Sequence, residues 1–262
     1  MSVTVVDLAP EHEFEYCRCL ESWSDEMAEA GDTKSHWLAK MKNEGLGVKL
    51  AIEEENGTYA GMIQYYPTSY SPVSTDEKGI WFIHCIWVHG HKKGQGNFQG
   101  HGIGTALLNA AEEDIRNRDG LAIAAWGLIL PFWMKSRWYL KHGYLRADKD
   151  GIRELVIKSL DGRPHSVVWR QAKQRPPARR DDGSLNISMF LNGACPVSSI
   201  AYSRLLEATA DLPLCPELID TSCREELEKW QQTDALFIGG REVRLGPPPS
   251  KRKIRRAVMR GL

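Results

Sequence analysis

Apolar and polar positions fall along this chain in short blocks, and the period of each block predicts an element. Residues 3–8 alternate as a half-buried strand does, and residues 10–23 and 34–43 have helical spacing. Residues 48–53 and 58–67 read as strands flanking Glu55-Asn56-Gly57, a hairpin signal because Asn-Gly accepts the left-handed turn conformation. Residues 80–88 (Ile-Trp-Phe-Ile-His-Cys-Ile-Trp-Val) are β-branched and aromatic, the make-up of a buried strand. A polar, glycine-rich stretch follows. Then Ile103, Ala106, Leu107, Ala110, Ala111 and Ile115 line one face of a helix. Residues 121–126 predict a further buried strand and 133–142 a helix stopped by Gly143. Residues 144–147 and 153–158 bracket Asp148-Lys149-Asp150-Gly151 as a second hairpin. The order is β-α-α-β-β-β-α-β-α-β-β, a mixed α/β (α+β) arrangement.

The pattern then breaks. Residues 171–186 contain Arg175-Pro176-Pro177 and Arg179-Arg180-Asp181-Asp182-Gly183, with little apolar content, the signature of a linker. Beyond it, strands are predicted at 187–191, 217–220, 235–238 and 242–245, and helices at 196–210, 224–230 and 249–259. This βαβαββα order sets the expected organisation: one domain over 1–165, a linker over 166–185 and a small domain over 186–262. Proteolysis near Arg175–180 is expected to release two folded pieces.

Composition narrows the function classes. Lys plus Arg equals Asp plus Glu, 34 each, so nothing points to nucleic acid or to an anionic membrane surface. No apolar run approaches spanning length, and the start shows no basic-then-apolar signal. The six cysteines form no CxxC pair and no zinc spacing, which fits a reduced, cytoplasmic setting and no metal site.

The segment Gln99-Gly100-His101-Gly102-Ile103-Gly104-Thr105 carries the chemistry. Glycines at a turn that opens a helix leave backbone N–H groups facing outward at the positive end of the helix dipole, which is a diphosphate site. No GxxxxGK[ST] occurs, and about ten residues separate strand from turn, unlike a dinucleotide fingerprint.

The pattern Gln-x-x-Gly-x-Gly after a strand ending at Val88 resembles the acetyl-CoA motif of the GCN5-related N-acetyltransferase (GNAT) superfamily. Arg137-Trp138-Tyr139-Leu140-Lys141-His142-Gly143-Tyr144 resembles its second motif at the required distance. The resemblance covers roughly residues 3–160. It implies an acyl-CoA N-acyltransferase fold with a splayed mixed sheet, and acetyl-CoA as co-substrate. By the same resemblance, Ile86, Trp87 and Val88 pair with the pantetheine arm. Gln99, Gly100, His101, Gly102, Ile103, Gly104 and Thr105 surround the pyrophosphate, with Lys92 and Lys93 within possible reach. Tyr139 then serves as general acid to the sulfur, a role that suits a phenol protonated at neutral pH. Phe132 stands where relatives often have an asparagine.

The general base is open: His84 near its ordinary pKa, Glu53, Glu54 or ordered water would serve. Strict alternation puts His84 and Ile86 on one strand face and Cys85 on the other. The aromatics Trp23, Trp37, Tyr65, Tyr66, Trp81 and Trp126 fit a core or an acceptor pocket. Residues 186–262 resemble the thioredoxin-like (YoaP-like) tail appended to some bacterial acetyltransferases. In that frame Cys195, opening a helix, is a thiol site, and the helix end is expected to favour its thiolate. Ser198 leaves it without a CxxC partner, and Thr233-Asp234-Ala235 stands where the fold places a cis-proline. Two readings compete with amine acetylation of a small molecule or peptide: an acyl-CoA sensor without turnover, and a thiol-redox protein acting through the tail. The oligomeric state stays open, a homodimer included.

Overall fold

The computed structural model describes residues 2–130 and 134–262. In chain order the elements are β1 (Val3–Asp7), α1 (Glu13–Cys17), α2 (Asp25–Ala28), α3 (Thr33–Met41), β2 (Gly47–Glu53), β3 (Tyr59–Pro67), β4 (Val73–Ser74), β5 (Ile80–Val88), α4 (Ile103–Asn117), β6 (Ala122–Leu128), α5 (Ser136–Leu140), β7 (Leu145–Asp150), β8 (Arg153–Ser159) and β9 (Val168–Trp169). They continue with β10 (Ile187–Leu191), α6 (Pro196–Thr209), β11 (Glu217–Asp220), α7 (Arg224–Trp230), β12 (Ala235–Ile238), β13 (Arg241–Val243) and α8 (Lys251–Gly261).

Contacts divide the chain into two compact units. One comprises residues up to Tyr16 together with Met41–Arg170; the other comprises Cys17–Lys40 and Gln171–Leu262. The first differs from the span 1–165 suggested by the sequence, because residues 17–40 pack elsewhere. The reason is local. The helix expected over 10–23 stops at Cys17, and Cys19 and Leu20 both take left-handed backbone angles (φ 52° and 60°), which breaks the helical path.

The first unit is built on a seven-stranded sheet in the order β1-β2-β3-β5-β6-β8-β7. Every pairing is antiparallel except β5 with β6. That parallel pair runs only from Ile80↔Ala122 to Ile83↔Ala125. Beyond it β5 stays with β3 and β6 stays with β8, so the two strands part. The Trp126 indole sits at the fork and donates to the His84 carbonyl at 2.8 Å. Against one sheet face, α4 buries Ile103, Leu107, Leu108, Ala111 and Ile115 with Ile63, Tyr65, Trp81, Ile83 and Ile123. A short ribbon of β4 with β9 is held by His165, which bonds Glu77 at 2.6 Å and Asp161 at 2.8 Å.

The second unit has a four-stranded sheet in the order β11-β10-β12-β13. Strand β10 is parallel to β11 and antiparallel to β12, and β13 closes a hairpin on β12. One face packs α6 and α8 through Leu205, Ala208, Ile254 and Val258; the other packs Trp230 of α7 on Phe190 and Phe237. Residues 171–185, a linker by composition, are docked chain in this unit. The Lys173 N–H donates to Trp230 O at 3.2 Å, and Asn186 donates to Ala178 O and Pro177 O. Backbone groups that find such partners are not a free tether. Among the described residues no helix is long and apolar enough to cross a membrane.

Candidate active site

The parting of β5 from β6 opens a cavity of about 590 Å³ in the first unit. Its walls are Ile86, Trp87 and Val88 from β5, the turn residues Gln99, Gly100, Gly102, Ile103, Gly104 and Thr105, and Trp138 and Tyr139 from α5. Phe98, Met134 and Lys135 complete it.

The glycines do different jobs. Gly100 and Gly102 have left-handed backbones (φ 84° and 78°), and a Cβ on either would meet nothing within 4 Å. The turn therefore needs glycine for conformation and leaves an open cradle. At Gly104 a Cβ would lie 3.4 Å from the Trp138 ring, in ordinary van der Waals contact, so the backbone there does not demand glycine. Gly102, the N-cap of α4, has no side chain to occupy the first-turn N–H groups. An open cradle of this kind at the positive end of a fifteen-residue helix fits a diphosphate.

Tyr139 is 2 % exposed, and its hydroxyl has no hydrogen-bond partner among the described residues. Burial first, and the neighbouring Cys85 second, hold its phenol well above the usual tyrosine range. The group is a protonated donor with nothing to donate to, aligned along a cavity wall. Thr105, on the cradle, contacts His142 Nε2 at 3.0 Å, and His142 Nδ1 contacts the Trp138 carbonyl at 2.8 Å.

Other residues lie elsewhere. His101, Lys92 and Lys93 are exposed and outside the lining. The Gln99 amide turns back towards Val88 O, at 3.4 Å. His84 is also outside the lining. The register on β3 jumps from Gln64↔Cys85 to Tyr65↔Ile83, a bulge that leaves His84 as the extra residue. Strict alternation therefore fails here: Ile83 and Ile86 both pack into the α4-side core, while His84 contacts the Tyr66 hydroxyl at 2.7 Å beside Phe82. Glu53 is committed to its own hairpin turn, accepting from Glu55 N and Asn56 N. Glu54 bonds Thr4. Phe132 lies outside the described residues. Phe98, Met134 and Lys135 were not singled out by spacing, and Trp138 was named only as part of the second motif; the one signal for Met134 and Lys135 was proximity to that motif.

Residues 8–129 match the acetyltransferase (GNAT) family. This part of the chain is a GNAT acetyltransferase domain. The glycine turn and β5 fall inside the matched GNAT span, and α5 with Tyr139 follows it. The chain is 23 % identical over 221 residues to the uncharacterized N-acetyltransferase YoaP of Bacillus subtilis (strain 168), covering 82 % of each protein. Among solved structures, the PaiA N-acetyltransferase of Thermoplasma acidophilum in complex with coenzyme A is 17 % identical, with a TM-score of 0.44 over 61 % of this chain and 99 % of that one. The aminoglycoside 6'-N-acetyltransferase of Enterococcus faecium is 17 % identical, with a TM-score of 0.42 over 63 % and 99 %.

In the second unit, Cys195 is the N-cap residue of α6. The helix end does not dominate there. Burial, and then the neighbouring Cys19, push the Cys195 thiol up to about 12, opposite to the thiolate expected from the helix dipole. All six cysteines are free thiols. Among the described residues no group of three or more His, Cys, Asp or Glu is placed to hold a metal ion.

Proposed function

We propose that the GNAT domain transfers the acetyl group of acetyl-CoA to an amine of a small molecule or peptide, by direct attack in a ternary complex. The observation that carries this reading is a cleft lined by both the open glycine cradle and Tyr139, whose buried hydroxyl has no partner among the described residues. Acetyl-CoA supplies the activated thioester. The first-turn N–H groups of α4 take the diphosphate. The edge of β5 at Ile86, Trp87 and Val88, released from β6, offers backbone groups to the amides of the pantetheine arm. Tyr139 protonates the departing sulfur, and its burial keeps that proton available. His84, bonded to Tyr66 at the fork, is the side chain proposed to take the amine proton through a water. The order of the second sheet and the position of Cys195 support a thioredoxin-like fold for that unit.

The test combines binding and turnover. Calorimetry with acetyl-CoA should show saturable binding to the full chain. Gly102→Asp should abolish it, by placing a carboxylate and a strained left-handed residue at the cradle. Tyr139→Phe should keep binding and lose roughly 10²-fold in kcat across a panel of amines, read as free thiol. Unchanged affinity in the first variant, or full turnover in the second, overturns the reading.

A further inference from the structure

Helix α8 carries Lys251, Arg252, Lys253, Arg255, Arg256 and Arg260 and no acidic residue. The equal totals of acidic and basic residues are a sum over the chain and hide where the charge sits. Two of these cations are neutralised by α6: Lys251 pairs with Glu207, and Arg255 pairs with Asp211 and donates to Ala208 O at 2.8 Å. Ile254 and Val258 are fully buried and hold one face of α8 in the core of the second unit. The helical period then puts Arg252, Arg256 and Arg260 in one row on the opposite face, with Lys253 alongside. All four are exposed, and none has a side-chain ion pair or hydrogen bond among the described residues. The stability of the helix does not explain the row. Arg252 and Lys253 stand in the first turn, at the positive end of the helix dipole, where cations are unfavourable. Arg252 with Arg256, and Arg256 with Arg260, are like-charge pairs at i,i+4, which repel. A row kept against two local preferences has its use outside the chain, with an anionic ligand.

We propose that the outer row of α8 is a docking surface for duplex nucleic acid, gripped through its phosphates without reading the bases. Arginine suits this ligand, because its planar fork meets two phosphate oxygens at once. At 1.5 Å of rise per residue, Arg252 and Arg260 stand about 12 Å apart along the helix axis. That is about the width of the major groove, so the ends of the row reach phosphates on its two sides. The surroundings of the row favour this ligand over an anionic membrane. Glu207 and Asp211 border α8 with side chains more than half exposed, so a flat surface would meet both signs of charge, whereas a duplex can follow the ridge alone. The apolar positions Ile254 and Val258 are also committed to the core, which leaves α8 without the face that an interfacial helix buries in lipid.

The experiment uses the full chain and fluorescence anisotropy with labelled 20-base-pair DNA duplexes of two unrelated sequences. Both duplexes should bind alike. With four cations on phosphates, the logarithm of affinity should fall with the logarithm of salt at a slope of about −3.6, a loss of roughly 150-fold between 50 and 200 mM. Replacing Arg252, Arg256 and Arg260 together by Gln should weaken binding and flatten the slope to about −1, while replacing all three by Lys should keep the slope. The Lys variant separates charge from folding, and circular dichroism checks both variants. Two competitors test the other anionic partners: vesicles of phosphatidylserine with phosphatidylcholine, and polyglutamate. The proposal is overturned by a wild type that does not bind duplex at 50 mM salt, by a Gln variant that binds as the wild type does, or by affinity that follows duplex sequence. It is also overturned if either competitor, at matched charge, displaces the protein more effectively than unlabelled duplex. No readout involves acetyl-CoA, so this result and the acetyl-transfer result fail separately.

Discussion

At Gly127 the backbone of β6 passes so close under the start of α5 that a Cβ would lie 2.5 Å from Ser136 N and 2.7 Å from Met134 O. Those are backbone atoms and cannot swing aside. Gly127→Ala should therefore push the start of α5, and Tyr139 with it. Overpacking of this kind costs about 1–3 kcal/mol, so denaturant midpoints should fall and turnover should drop in parallel. Tyr139 itself sets a pH limit. An acid whose pKa is raised stays protonated to higher pH, so kcat should show no fall attributable to Tyr139 up to pH 10, the ordinary tyrosine value. A descending limb below that pH, present in wild type and absent from the residual activity of Tyr139→Phe, would contradict the burial argument. At this scale the sequence was partly legible. The turn glycines and Tyr139, picked out by the two motifs, line the cavity, and Gly100 and Gly102 are demanded by backbone conformation. The facing of His84 could not be read, since a bulge that shifts a strand by one residue leaves no mark in alternation. The state of Cys195 could not either, because its raised pKa comes from burial and from Cys19.

Among the elements, the β4–β9 ribbon depends most visibly on charge. His165 bridges Glu77 and Asp161, Ser166 N donates to Glu77, and Thr75 donates to Ser166 O. Hydrogen bonds donated by its ring to Glu77, then to Asp161, raise the His165 pKa. The same bridge lowers both carboxyls, Asp161 to about 2. A raised histidine contributes its stability fully below its unfolded value near 6.5 and loses it as pH rises through the folded value. Thermal midpoints of the wild type should thus decline above neutrality relative to His165→Gln, and the two curves should converge at alkaline pH. Parallel curves would show that the bridge carries no pH-dependent stability. Elements defined by sharp composition were legible to the residue: β5, β10, β11, α7 and β12 have the predicted bounds. The helix expected over 133–142 begins at Ser136, and the one over 10–23 breaks at Cys19 and Leu20. Neither break involves a proline or glycine at the site, so local pattern gave no warning.

For the whole molecule, the division of the chain was the least legible feature. Periodicity reports which face of a helix is buried, and not which core receives it. Residues 17–40 therefore read as part of the first domain, whereas Arg204 of α6 binds Glu26 and Glu29, Ser203 donates to Glu29 O, and Lys40 donates to Ser222. A nick at the exposed Arg175 or Arg179 should consequently leave the two fragments together on native gel filtration, separating only in denaturant. Residues 186–262 expressed alone should be less stable than the same residues in the nicked chain. Free dissociation after the nick would mean that residues 17–40 contribute little to the second unit. The discontinuity also has a consequence during synthesis. Residues 41–170 lie between the two pieces of the second unit. At ~5–20 residues per second on the ribosome, the early piece emerges and waits on the order of ten seconds for its partner. Through that interval Trp37 and Leu38, buried in the finished protein, stand uncovered on the nascent chain. Apolar surface of that kind is what a ribosome-bound chaperone covers.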